Sequence, residues 1–205
     1  MTCPSTHPVA GSLFGRRHVV LPGTVGDDEL RALAAEAAAL PAEPAGDGGT
    51  VAIASLRRPV IADVALRLSG LAAARHLASP FEATEVSFVT RGAVAAVPRR
   101  EQRYYLGCTA SVVLAGTGTL TEHAERDRAD VLQRSRIGPG DVVLLRGWSP
   151  LGAADPRPYL RIVADGGPLL MMRLRQNLVG STREPAWLPL LTEAEIAEAR
   201  TRAQH

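Results

Sequence analysis

Lysine is absent: all 23 basic residues are arginine. Codon bias in a GC-rich genome explains this skew more readily than a functional choice. It still excludes lysine Schiff-base chemistry and a Walker-type phosphate loop, both of which need the ε-amine. Cysteine is nearly absent, with only Cys3 and Cys108 far apart in the chain. That excludes a disulfide framework or a zinc knuckle, and Cys108, set in an apolar run, reads as a buried free thiol. Long apolar runs are missing, and the N-terminus has no signal-peptide pattern. The expectation is a soluble cytoplasmic protein with no membrane partner. A net charge of +2 gives no argument for a nucleic-acid partner. Histidine is scarce: His7, His18, His76, His123 and His205 are all there are.

What is present is apolar content: 46% hydrophobic over 205 residues, enough for one well-buried domain. Residues 1–17 are rich in Pro, Ser and Gly and read as a mobile N-terminus. Residues 18–80 read as helical support. His18–Leu21 is a short strand candidate. Asp27–Leu40 is an amphipathic helix with Leu30, Leu33 and Ala37 on one face and acidic residues at its start. Ala42–Gly49 reads as a flexible loop, Val51–Ala54 as a strand, and Val60–Leu77 as a second helix behind Pro59.

From Phe81 the period becomes strand-like. Eight candidates follow: Glu82–Thr90, Ala93–Val97, Cys108–Leu114, Thr119–His123, Asp130–Arg136, Val142–Leu145, Leu160–Ala164 and Leu169–Leu174. Glycine-rich turns separate most of them, notably Gly138-Pro139-Gly140 and Gly166-Gly167. Eight strands is the jelly-roll number. The barrel is thus expected over 81–176. Residues 177–205 form a C-terminal extension with a last helix, whose Thr192 and Glu195 make a capping box.

The stretch Ile137–Gln176 organises the rest. A glycine-proline turn and Asp141 feed the buried strand Val142–Leu145. A loop leads to Leu160–Ala164, and a tight turn returns the chain into Leu169–Leu174. This arrangement resembles the closing half of a double-stranded β-helix, the jelly-roll (cupin-like) barrel of the iron- and 2-oxoglutarate-dependent oxygenases. The resemblance spans roughly Val19 to Gln176 and implies a mainly β fold with flanking helices.

It also implies a metal site: a His-x-Asp or His-x-Glu motif before the strand at Val112–Leu114, a second His near Pro158 or Tyr159, and an Arg on the last strand for the co-substrate. Iron(II) needs two imidazoles and a carboxylate, with positions left open. This chain instead has Arg99-Arg100-Glu101-Gln102-Arg103 at the first position and no His at the second. The iron site reads as lost, so no metal and no cofactor are assigned.

The candidate residues are those a repurposed barrel mouth would use. Glu101, Tyr105 and His123 are the candidate proton-transfer groups. Arg103, Tyr104, Trp148, Arg161 and Arg173 are the candidate substrate contacts, with Arg173 and Arg175 on one face by alternation. Asp141 reads as a turn residue rather than an acid. The first functional expectation is a metal-independent, non-redox step on a small organic molecule: cyclisation, isomerisation or dehydration in specialised metabolism. A non-catalytic pseudo-oxygenase that binds a ligand or a partner protein is the alternative. A third reading keeps iron in an atypical site using His123 with Glu101 or Glu122. The apolar strands and the Pro-rich C-terminal segment could carry a homodimer contact.

Overall fold

Strand β1 (His18–Leu21) is followed by helix α1 (Asp27–Ala38), the short pair β2 (Glu43–Pro44) and β3 (Thr50–Ala54), and helix α2 (Pro59–Ala74). Then come β4 (Glu85–Arg91), β5 (Cys108–Ala115), β6 (Gly118–His123), β7 (Val131–Ile137), β8 (Val142–Arg146), β9 (Tyr159–Ala164) and β10 (Leu169–Arg175), and the C-terminal helix α3 (Glu193–Ala203). The structure, a computed structural model, describes residues 17–45, 48–74, 81–92, 97–105, 107–126, 130–148, 155, 157–179 and 185–203.

The strands form two sheets. One runs β1-β8-β5-β10-β4-β3-β2 and the other β7-β6-β9, and every pairing is antiparallel. Strands β4 to β10 reproduce the double-stranded β-helix expected from the strand count. Of the eight candidates, Ala93–Val97 lies almost wholly outside the described residues, as does the end of the second helix beyond Ala74. The second sheet is instead extended by a single bridge between Arg99 and Leu160. One expectation fails outright: the loop at Ala42–Gly49 contributes β2, because Glu43 and Pro44 pair with Val51 and Thr50. Its two-residue length at a sheet edge, with Pro44 there, hid it from periodicity.

Alternation decides the two faces of the larger sheet. Val86, Phe88, Ala110, Val112, Leu144, Met172 and Leu174 point outward and pack with Leu30, Leu33, Ile61, Val64 and Leu68 of the helices. The helices therefore cover the outside of the barrel. Acidic Asp27, Asp28 and Glu29 occupy the first turn of α1, where the helix dipole favours negative charge. Pro59 opens α2, at a position where a missing N–H costs little. Inward-facing residues fill the closed end of the barrel: Val113, Leu120, Ile137, Val143, Leu169 and Met171 are all buried together.

The turn after β7 is fixed by side-chain and backbone contacts. Asp141 accepts from the backbone N–H of Gly138 at 2.8 Å and of Gly23 at 2.9 Å, the turn role read from sequence. Gly140 has φ +85°, and a Cβ there would sit 2.7 Å from the Val25 carbonyl oxygen. Both strain and contact oppose any side chain, so Gly140→Ala is expected to cost about 1–3 kcal/mol. A urea melt showing wild-type stability would contradict this.

Cys108 faces the helices and is 1% exposed. Burial pushes its thiol up to about 12, against a lesser lowering by a backbone hydrogen bond at Leu145. In a Cys3→Ser background, the native protein should not react with a thiol reagent at pH 8 until it unfolds. Rapid labelling of native protein would disprove the assignment.

Candidate functional site

The inward face of the larger sheet changes character along its length. Beyond the apolar closed end, β4, β10 and β5 present Glu85, Ser87, Arg91, Arg173, Arg175 and Ser111. Register sets these side by side: Arg173 lies between Ser87 and Ser111, and Arg175 opposite Glu85. The segment after the Arg99 bridge crosses this face and brings Glu101 over it. A cavity of about 210 Å³ results. Among the described residues its wall contains eight arginines and one carboxylate, Glu101, with Val143, Leu145, Leu160 and Ile162 forming an apolar side. That volume falls below the roughly 300–1,000 Å³ of pockets for drug-sized molecules, so the space suits a small ligand.

Two of the arginines are held very differently. Arg175 is tightly engaged: Nη1 lies 3.1 Å from Glu85, Nη2 3.3 Å from Glu101, and the guanidinium covers the Tyr105 ring at 4.6 Å, while its buried Nε has no partner among the described residues. Burial would lower its pKa, but Glu101, Tyr105 and Glu85 outweigh that and raise it. Arg173 is the opposite case. Among the described residues its guanidinium makes no hydrogen bond, and its one carboxylate neighbour is Glu101 at 4.0 Å. Burial first, then Arg175, push it down to about 9, with Glu101 opposing. It stays charged at neutral pH. Its side chain is 14% exposed, so its donors are open to the cavity rather than sealed off.

Glu85 is the anchor of the wall. It is 5% exposed and accepts the Tyr105 hydroxyl on both oxygens at 2.9 Å. Burial raises the Tyr105 phenol and Glu85 raises it further, against Arg175. For Glu101, desolvation would raise the carboxyl, but Arg175, Arg173 and Arg91 together hold it below the usual range.

Of the residues expected from sequence, Glu101, Tyr105, Arg161 and Arg173 reach the cavity wall. His123 does not. Leu120 faces the barrel core, so Glu122 shares its face and His123 lies on the other. There His123 Nε2 bonds the Thr121 hydroxyl at 2.9 Å. His123 therefore cannot share a metal with Glu122, nor meet Glu101 inside the barrel. Arg103, Tyr104 and Trp148 are also absent from the wall. They anchor the C-terminal extension: Arg103 bonds the Leu190 carbonyl and sits 5.1 Å over Trp148, which packs edge-on against Trp187 at 5.9 Å. Tyr104 is fully buried with Val179, Leu191 and Ala199. By alternation Arg161 shares the outer face of β9 with Tyr159, while its atoms still reach the wall.

Several residues were missed. Arg91 and Arg99 line the cavity beside Arg173 and Arg175. The two-residue spacing from Glu85 to Arg91 carried that signal for Arg91. His18 was also missed: Nδ1 lies 2.6 Å from Glu122, linking β1 at the edge of one sheet to β6 in the centre of the other. The two are 104 residues apart, so no local pattern could reveal the pair.

Arg99 and Glu101 stand where the His-x-carboxylate pair would be, and the bridge from Arg99 to Leu160 puts Pro158 and Tyr159 nearby. Guanidinium groups offer no lone pair to a metal, and Glu101 is engaged by two arginines. No group of three His, Cys, Asp or Glu among the described residues could hold a metal ion. The donor set does not fit iron.

No family model matches the sequence, and no curated protein matches it. Solved structures do. The chain is similar to HygX from Streptomyces hygroscopicus, solved with nickel and 2-oxoglutarate bound, at TM-score 0.56 and 15% identity over 78% of this chain and 82% of that one. It is similar to the viral collagen prolyl hydroxylase of Paramecium Bursaria Chlorella virus-1, solved as a 2-oxoglutarate complex, at 0.56 and 13% over 80% and 98%. A Pseudomonas putida prolyl-4-hydroxylase gives 0.52 and 15% over 80% and 95%. At these identities the likeness establishes the fold: the chain has the double-stranded β-helix of the 2-oxoglutarate-dependent oxygenases. No helix among the described residues is long and apolar enough to cross a membrane.

Proposed function

We propose that the protein acts on a small organic anion held in the barrel cavity, and that its own side chains catalyse a non-redox step there: cyclisation, isomerisation or dehydration. Arg173 is the observation that carries this reading. It is a guanidinium on the wall of a cavity sized for a small ligand, and it makes no hydrogen bond among the described residues. Reactions of this class move a proton and develop negative charge on oxygen without net oxidation. Guanidiniums fixed in a confined site stabilise such charge before it forms. Glu101 is the proton acceptor within reach, and the apolar wall at Val143, Leu145, Leu160 and Ile162 packs the body of the substrate.

A second reading is a binding protein without catalysis. It is favoured by the engagement of both candidate proton carriers, Tyr105 by Glu85 and Glu101 by two arginines. One experiment separates the two. Calorimetry against a panel of small carboxylates and phosphate esters, followed by NMR of each bound compound in D2O, reads binding and turnover together. Saturable binding with deuterium exchange or a rearranged product supports the enzyme. Binding alone supports the second reading. Turnover that needs iron and 2-oxoglutarate would overturn both.

A further inference from the structure

Among the described residues, charge on the cavity wall does not balance. Arg99, Arg173 and Arg175 line the cavity, and Arg175 acts on Arg173 electrostatically. Two carboxylates face them, Glu85 and Glu101, and their settings differ. Glu85 is part of a strand, 5% exposed, and fixed by the Tyr105 hydroxyl and Arg175 at 2.9 and 3.1 Å. Glu101 lies outside any strand, between the Arg99 bridge and the turn at Arg103 and Tyr104. Its carboxylate spans two guanidiniums loosely, at 4.0 Å from Arg173 and 3.3 Å from Arg175. Its backbone carbonyl is held separately by Arg157. The backbone bond to Arg157 does not depend on where the carboxylate lies.

We propose that Glu101 is an internal counter-ion that fills the ligand's place, and that the cavity takes a dianion which displaces Glu101 from Arg173 and Arg175. This rests on the reading of the cavity as an anion site and adds the charge of the ligand and the part played by Glu101. A monoanion entering beside Arg173 merely replaces one carboxylate by another, with no gain in charge pairing. A dianion brings a second negative charge to a wall still rich in guanidinium, where charge-assisted, often bidentate, hydrogen bonds are strong. The shared chemistry is two negative charges on oxygen, supplied by a dicarboxylate or by a phosphate monoester. On leaving the two arginines, Glu101 becomes available as a proton acceptor beside the bound ligand.

Calorimetric titration of wild type, Glu101→Gln and Arg173→Gln with glutarate, methyl phosphate and butyrate tests this. In wild type, at least one dianion should bind, and butyrate at least tenfold more weakly. Glu101→Gln should bind the preferred dianion at least tenfold more tightly, because its competitor has lost its charge. Arg173→Gln should bind at least tenfold more weakly. Glutarate against methyl phosphate separates the carboxylate from the phosphate source. If Glu101→Gln does not fold, Glu101→Ala provides the same comparison. A wild type that binds a dianion with affinity unchanged or weakened in the Glu101 variants defeats the counter-ion proposal and leaves the anion site standing. A preference for butyrate defeats the dianion assignment. Failure of wild type and the Glu101 variants to bind any of the three defeats the anion-site reading itself.

Discussion

Glu85→Ala should destabilise the fold by about 3–5 kcal/mol, the cost of breaking a buried ion pair by removing one partner. Glu85 accepts the Tyr105 hydroxyl on both oxygens and holds Arg175, whose side chain is 9% exposed. Without it, Arg175 keeps only Glu101, and the Tyr105 hydroxyl loses its acceptor. Arg202 of α3, 3.9 Å from Glu85, loses that partner as well. The effect should therefore appear both in global urea unfolding and as earlier release of the C-terminal helix in hydrogen exchange. A loss under 1 kcal/mol would mean that the wall is held by something other than this network.

Arg173→Met should not carry that cost. Arg173 is repelled by Arg175 and makes no hydrogen bond among the described residues, while Glu101 keeps its contact with Arg175, so an apolar chain of similar volume should leave the fold at least as stable. The same change should lower affinity for a small anion at least tenfold, since a charge-assisted hydrogen bond is worth about 1.5–3 kcal/mol. Undiminished stability with loss of binding is the signature of a residue kept for function. A variant less stable than wild type at pH 7 would show that Arg173 is a structural ion-pair partner instead.

The fold was legible because alternation and turns act locally. Met171, Arg173 and Arg175 share a face whatever the rest of the chain does, and Gly138-Pro139-Gly140 marks its turn alone. Faces of isolated residues were less legible. Glu122 and His123 are neighbours, and a one-residue choice of register decides which enters the barrel. His123 drew notice as a lone histidine in a strand, yet Glu122 is the inward residue. Arg103, Tyr104 and Trp148 sit next to the cavity segment in sequence, but the C-terminal extension packs on them, a long-range contact that no spacing records. The polar cluster at Arg99–Arg103 was visible as a replacement for the metal motif. Its geometry was not, because the arginines that face Glu101 come from β4 and β10.

On the proposed reading, an arginine-lined anion site occupies the place that a metal site would take in this barrel. Titration of metal-free protein with iron(II), anaerobically and with 2-oxoglutarate present and absent, tests it most directly. The account predicts no stoichiometric iron binding under either condition. One iron per chain, bound at an affinity that rises with 2-oxoglutarate and is lost in Glu101→Ala, would contradict it.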